Sequence, residues 1–179
     1  MPNQNRMMTW FGHAWNYVRP KMYESLEDAV KNRQFCKRLW LLYPNSDLKP
    51  YGNQFLKLIK LKSLNIQCSI EFDASSFSLP EEIGQLTQLE KLVLLNVPLS
   101  RFPDWIRKLI NLQYLVVRGN DITQIPPFIE NLTKLKILGV ENCDLSSLPK
   151  ELRKLERLTE LWLSDTKIPY FPINYLPLN

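Results

Sequence analysis

LEKLVLLNVPL at 89–99, LQYLVVRGNDI at 112–122, LKILGVENCDL at 135–145 and LTELWLSDTKI at 158–168 begin 23 residues apart, and each reads LxxLx(L/V)xxxx(L/I). A second marker keeps the same period between them: Leu79-Pro80, Phe102-Pro103, Ile125-Pro126, Leu148-Pro149 and Phe171-Pro172. A third follows it, an apolar pair at Ile83/Leu86, Ile106/Leu109, Ile129/Leu132 and Leu152/Leu155. Three interlocked markers at one period in this length range identify a stacked-repeat architecture.

Each marker has its own physical reading. Alternation around Leu92 and Leu94 is the period-2 signature of a short strand, with these two leucines facing inward and Lys91, Val93 and Leu95 facing out. The proline after each Leu, Phe or Ile fixes φ and cannot donate to a strand ladder, so it turns the chain off the strand and begins a return leg. Ile83 and Leu86 lie three apart, as one face of a short helical or 3-10 turn places them, and point back at the strand leucines. One unit cannot stand alone: about seven buried apolar side chains at roughly 1.5–3 kcal/mol each face the ordering of its backbone at roughly 1–2 kcal/mol per residue. Stacking supplies the difference, and the ends need caps.

Less regular units precede the run. Phe55, Leu58, Leu61, Leu64 and Ile66 match Ile83, Leu86, Leu89, Leu92 and Leu94 at an offset of 28, which places five extra residues in a Ser-rich loop within 67–79. CKRLWLLYP at 36–44 reads as the first strand, with Leu39 and Leu41 inward, so six strands are expected. Ahead of it SLEDAVKNRQ starts with Ser25 and Asp28 at capping-box spacing, predicting a cap helix from near Leu26. The reading divides the chain into an irregular N-terminal segment with cap helix, 1–35, and a solenoid with a truncated last repeat, 36–179. Trp10, Phe11, Trp15 and Tyr17 are expected to pack on the cap helix. Tyr175 and Leu178 stand where a seventh unit would place its apolar pair, either as a short cap or as the end of a fragment.

The segment LPEEIGQLTQLEKLVLLNVPLSRFP resembles the 23-residue leucine-rich repeats of bacterial and plant intracellular proteins and Ras-scaffold relatives, and the resemblance covers about residues 24–178. It implies an α/β fold: a curved right-handed solenoid with a concave parallel sheet, short helical or 3-10 convex segments and, as a rule, protein recognition. The family's asparagine at the strand-to-loop turn is matched only by Asn120, while Ser69, Val97, Cys143 and Thr166 hold the equivalent places. Valine is not an ordinary substitute there. A buried backbone group left unpaired at Val97 would cost about 1–3 kcal/mol, and Asn96, one residue early, is expected to compensate through a shifted turn.

Composition narrows the function. No apolar run approaches the roughly 18 residues of a membrane span, and MPNQNRMMTWFGHAWNYVRP lacks a signal-peptide core, so a cytoplasmic protein is expected, or a secreted effector if a leader has been removed. Cys36, Cys68 and Cys143 have no CxxC spacing and are odd in number, which suggests buried thiols and neither a zinc site nor a disulfide framework. Of the net charge of +5, residues 1–50 contribute 8 Lys/Arg against 4 Asp/Glu and 51–179 contribute 15 against 14. No cluster is dense enough for a nucleic-acid stripe. The single histidine, His13, lies in the irregular segment, and no phosphate-loop motif occurs, so no catalytic residue, cofactor or metal is assigned and an enzyme is not expected.

The outward columns then locate the binding function. Between the inward leucines run Trp40, Asn65, Val93, Val116, Gly139 and Trp162; before them Arg38, Ser63, Lys91, Tyr114, Ile137 and Glu160; after them Leu42, Gln67, Leu95, Arg118, Glu141 and Ser164. Next to these lie Tyr43, Cys68, Asn96, Gly119, Asn142 and Asp165. Apolar residues gathered on one open face mark interaction surfaces. The expected site therefore comprises Val93, Leu95, Tyr114, Val116, Arg118, Ile137, Glu141, Glu160, Trp162 and Asp165, with Gly139 leaving a dip for a partner's side chain. Trp40 and Trp162, five strand steps or roughly 24 Å apart, belong to separate regions. Lys37, Arg38, Lys62 and Lys91 make one side basic, and Glu141, Glu160 and Asp165 make the other acidic. The partner is an unidentified protein, neither nucleic acid nor membrane. The alternative is a structural fragment of a larger repeat assembly that self-associates weakly through its C-terminal end.

Overall fold

The computed structural model describes residues 21–42, 47–69 and 77–169. His13, the N-terminal aromatic residues, Tyr43, most of the Ser-rich loop and the start of a seventh unit lie outside the described residues. Six strands form one sheet in chain order: β1 (Arg38–Leu42), β2 (Ser63–Gln67), β3 (Lys91–Leu95), β4 (Tyr114–Asn120), β5 (Ile137–Cys143) and β6 (Glu160–Trp162), every neighbouring pair parallel. The observed register runs Arg38–Ser63–Lys91–Tyr114–Ile137–Glu160 and Trp40–Asn65–Val93–Val116–Gly139–Trp162, the columns expected from the repeat period.

Behind the sheet the return legs are short 3-10 turns at Glu81–Gln85, Asp104–Lys108, Pro127–Asn131 and Lys150–Lys154. Each starts after a proline whose φ lies between −61° and −75°, because the ring holds the turn-entry geometry without requiring a donor. The second unit uses a helix instead, α2 (Gly52–Phe55). The core lies between the legs and the strands. Phe55, Leu58, Leu61, Leu64 and Ile66 are fully buried, as are Ile83, Leu92 and Leu94 of the next unit, so the offset of 28 aligns true equivalents.

The N-terminal end is closed by α1 (Leu26–Lys31), where Ser25 Oγ accepts the Asp28 amide at 3.1 Å. The Asp28 carboxylate takes the Asn32 Nδ2–H at 2.9 Å, so it serves the helix's last turn and not the cap. Tyr23 adds a backbone bridge that the repeat pattern did not reveal: its amide donates to Arg38 O at 3.1 Å, and its carbonyl accepts from the Trp40 amide at 2.8 Å. One residue thus covers part of the open edge of β1. Among the described residues no helix is long and apolar enough to cross a membrane.

The turn after each strand corrects the expectation for Asn96. It takes a left-handed φ of 52°, and Gly119 (67°), Asn142 (48°) and Asp165 (55°) share that conformation at the equivalent place. This is no shifted turn; it is the position where each later unit bends, filled by the residue types that tolerate positive φ best. Val97 is fully buried, and in its loop the Leu99 amide donates to Val97 O at 2.7 Å and also to Asn120 Oδ1 at 3.4 Å. Asn120 Nδ2 donates back to Arg118 O at 2.8 Å, so this asparagine serves its own turn and the preceding one.

Candidate functional site

The sheet face away from the 3-10 turns carries the expected columns, but not all of their members are available there. Val93 and Val116 are only 3% and 4% exposed, although neither belongs to the inner core cluster. They face outward, as the alternation requires, and are covered from that side. They form the floor of the face and offer little surface of their own in the free chain. Leu95, Tyr114, Ile137, Glu141 and Trp162 are half-buried; Arg118, Glu160 and Asp165 are exposed.

The dip expected at Gly139 is filled. A Cβ placed on Gly139 would lie 2.9 Å from Val116 Cγ2 and 3.2 Å from Trp162 Cε3. Trp162 therefore lies over the glycine and reaches past β5 to Tyr114, where the ring centroids are 5.7 Å apart and the planes 81° apart, an edge-to-face pair. Glu160 Oε2 accepts the Trp162 indole N–H at 3.0 Å and fixes the ring's orientation. On the opposite side Lys91 Nζ sits 4.1 Å from the centre of the Tyr114 ring, a cation–π contact. The result is a continuous platform from β3 to β6. The sequence reading placed Lys91 only among basic neighbours; its seat on Tyr114 follows from its being one strand away in the same column.

Titration behaviour reflects the charge polarity across this platform. Burial, with Arg38 adding like-charge repulsion, pushes the Lys91 ammonium down to about 8. Burial, with the carboxylates of Glu141 and Glu160 adding, pushes the Tyr114 phenol up to about 12. Cations thus gather toward β1 and carboxylates toward β6, meeting at Tyr114. Lys62, counted on the basic side, is paired with Glu90 at 2.6 Å, which reduces that excess.

Asp165 belongs elsewhere. With Ser69, Asn96, Gly119, Asn120 and Asn142 it lines a shallow groove of about 470 Å³ along the strands' C-terminal ends, built from the left-handed turns. Among the described residues no three His, Cys, Asp or Glu side chains come together as a metal site. Cys36 and Cys68 are fully buried, and burial pushes both thiols up to about 11, so they are poor nucleophiles at neutral pH.

The family model described as "Leucine-rich repeat region" matches residues 40–165. The chain belongs to the leucine-rich-repeat family. Among solved structures, a leucine-rich-repeat protein of Leptospira interrogans is 31% identical, with a TM-score of 0.72 over 87% of this chain and 38% of its own. Internalin C2 of Listeria monocytogenes shares the fold, with 20% identity and a TM-score of 0.58 over 89% of this chain and 66% of its own. The repeat chain thus spans less than two thirds of either relative's length. No curated protein matches its sequence significantly. Proteins of this family are in general protein-interaction modules and typically not enzymes.

Proposed function

We propose that this repeat protein recognises a partner protein on its concave sheet face, with Tyr114 and Trp162 as anchors and Leu95, Ile137, Arg118, Glu141 and Glu160 around them. The observation that carries the reading is the edge-to-face pair of half-exposed rings held over Gly139. Aromatic side chains already fixed by neighbours lose little freedom on binding and dominate interface energies. The partner's surface is complementary in charge, acidic toward Arg38 and Lys91 and basic toward Glu141 and Glu160.

Immobilised protein should capture a partner from its native host's lysate, and Tyr114→Ala with Trp162→Ala should abolish capture while circular dichroism stays unchanged. Capture that survives both substitutions in folded protein overturns the proposal. A second reading rests on a separate observation: Leu161, Leu163 and Ile168 are half-buried, whereas their equivalents Leu138, Val140 and Leu145 are fully buried. The described part of the sixth unit therefore leaves apolar surface for a second copy. A strict monomer in light scattering at high protein concentration eliminates that reading.

A further inference from the structure

The aromatic platform is not uniform along its length. Lys91 and the edge-to-face contact with Trp162 occupy the two sides of the Tyr114 ring, so the aromatic surface left for an incoming group belongs to Trp162. One side of that indole lies over Gly139, which has no Cβ to lift it, and the ring is only half-buried, so its open area is on the side away from the sheet. Glu160 orients the ring through Oε2, and its side chain stays exposed beside the indole N–H. Glu141 stands two residues beyond Gly139 on β5, on the same face by strand alternation.

Neither carboxylate is balanced by an ion pair. Among the described residues the pairs are Lys31 with Glu27, Lys62 with Glu90, Lys154 with Glu130 and Lys167 with Asp144. None includes Glu141 or Glu160, although Arg118 stands across from Glu141 in the strand register. Burial first, and then Glu141 and Glu160, raise the Tyr114 phenol, so both carboxylates lie close enough to act on that ring. Toward β3 the chain supplies its own cation, Lys91, 4.1 Å from the centre of Tyr114. Toward β5 and β6 it supplies a ring and two carboxylates.

Resting on the reading that this face binds a partner protein, we propose that the partner's anchor is an arginine, stacked on Trp162 with its guanidinium between Glu160 and Glu141. A planar guanidinium stacks on an indole while its N–H groups, spread in one plane, reach carboxylates beside the ring; a compact ammonium does not combine the two contacts. An apolar side chain on the same ring would strip water from both carboxylates and return no hydrogen bond, and an acidic one would meet like charge. Lys91 lies three strand steps, about 14 Å, from Glu160 in one column. The arginine therefore fixes the direction in which the partner's segment crosses the sheet.

A phage-displayed library of random peptides, selected on the immobilised full chain, tests this. Peptides whose binding is lost on Trp162→Ala should share an arginine. Replacing that arginine by citrulline, which keeps the shape and removes the charge, should weaken binding about tenfold, and lysine should recover only part of the loss. Glu160→Gln keeps an acceptor for the indole N–H, so together with Glu141→Gln it should cost the arginine peptide a similar factor and leave the citrulline peptide unaffected. Asp104→Asn, exposed on the convex side, should change neither. Trp162-dependent peptides that bind equally well with citrulline, or that bind the double glutamine variant undiminished, overturn the arginine anchor and leave the sheet face as a protein-binding surface. A selection that yields no Trp162-dependent peptide also overturns it, and capture from lysate then decides on the face separately.

Discussion

Trp162 on β6 meets Tyr114 on β4 at 5.7 Å by crossing above Gly139 on β5, so the two aromatic side chains depend on a residue that contributes no side chain at all. The two residues stand in neighbouring columns, so the rings must span two strand steps of about 4.8 Å each and a two-residue offset, and the empty Gly139 position lets Trp162 lean across β5 to close that distance. Gly139→Val should therefore separate the rings and expose Trp162, at a cost of about 1–3 kcal/mol from crowding. Urea unfolding reads the cost, and a red shift of tryptophan emission with loss of near-ultraviolet dichroism reads the separation. An unchanged spectrum would show that the rings meet without the glycine.

Lys91 ties the same platform to pH. Its folded-state value near 8 lies below the ordinary lysine range because burial and Arg38 disfavour the ammonium. The unfolded chain binds more protons between that value and the ordinary one, so the folded state gains stability as pH rises through this window, and the penalty is fully present below it. Lys91→Met removes the effect. The stability of the unsubstituted chain relative to Lys91→Met should rise between about pH 8 and pH 10, measured by denaturant midpoints; a flat difference contradicts it. Above that window the raised Tyr114 value acts oppositely, since the folded state keeps its phenolic proton and loses stability as the unfolded chain ionises.

How much of this was legible follows from which interactions are periodic. Strand register, proline-led turns and the leucine core repeat every unit, so Leu92, Leu115 and Leu138 align from spacing alone. The face was legible as columns but not as a surface: alternation gives Val93 and Val116 the right side of the sheet, while their burial depends on neighbouring side chains. Tyr23 lies outside the period, and its bridge to β1 is a backbone event with no side-chain signature. The left-handed place shared by Asn96, Gly119, Asn142 and Asp165 was readable in principle from residue type, and the asparagine one position later drew the reading away from it.

Asn120 is the one buried asparagine in its column and joins two turns through its Oδ1 and Nδ2. Asn120→Val keeps the apolar fit found at Val97 but leaves Arg118 O without this donor. Arg118 O still accepts from the Asn96 amide, so a loss of about 0.5–1.5 kcal/mol is expected, with faster hydrogen exchange at the Leu99 amide. Exchange at Leu99 equal to that of the unsubstituted chain would assign that amide to Val97 O alone.

On the convex side Gly84 lets two return legs approach. A Cβ there would stand 2.7 Å from Trp105 Cβ and 3.1 Å from Trp105 O, and both are near the backbone, so neither can swing away as a flexible tip would. Gly84→Ala should push the turn at Asp104–Lys108 outward and cost about 1–3 kcal/mol, despite alanine's lower entropic cost of ordering, which alone would favour the variant. The sign of the change in urea midpoint separates the two effects. A destabilised variant means that inter-repeat packing dominates; a stabilised one means that Trp105 yields and chain entropy decides.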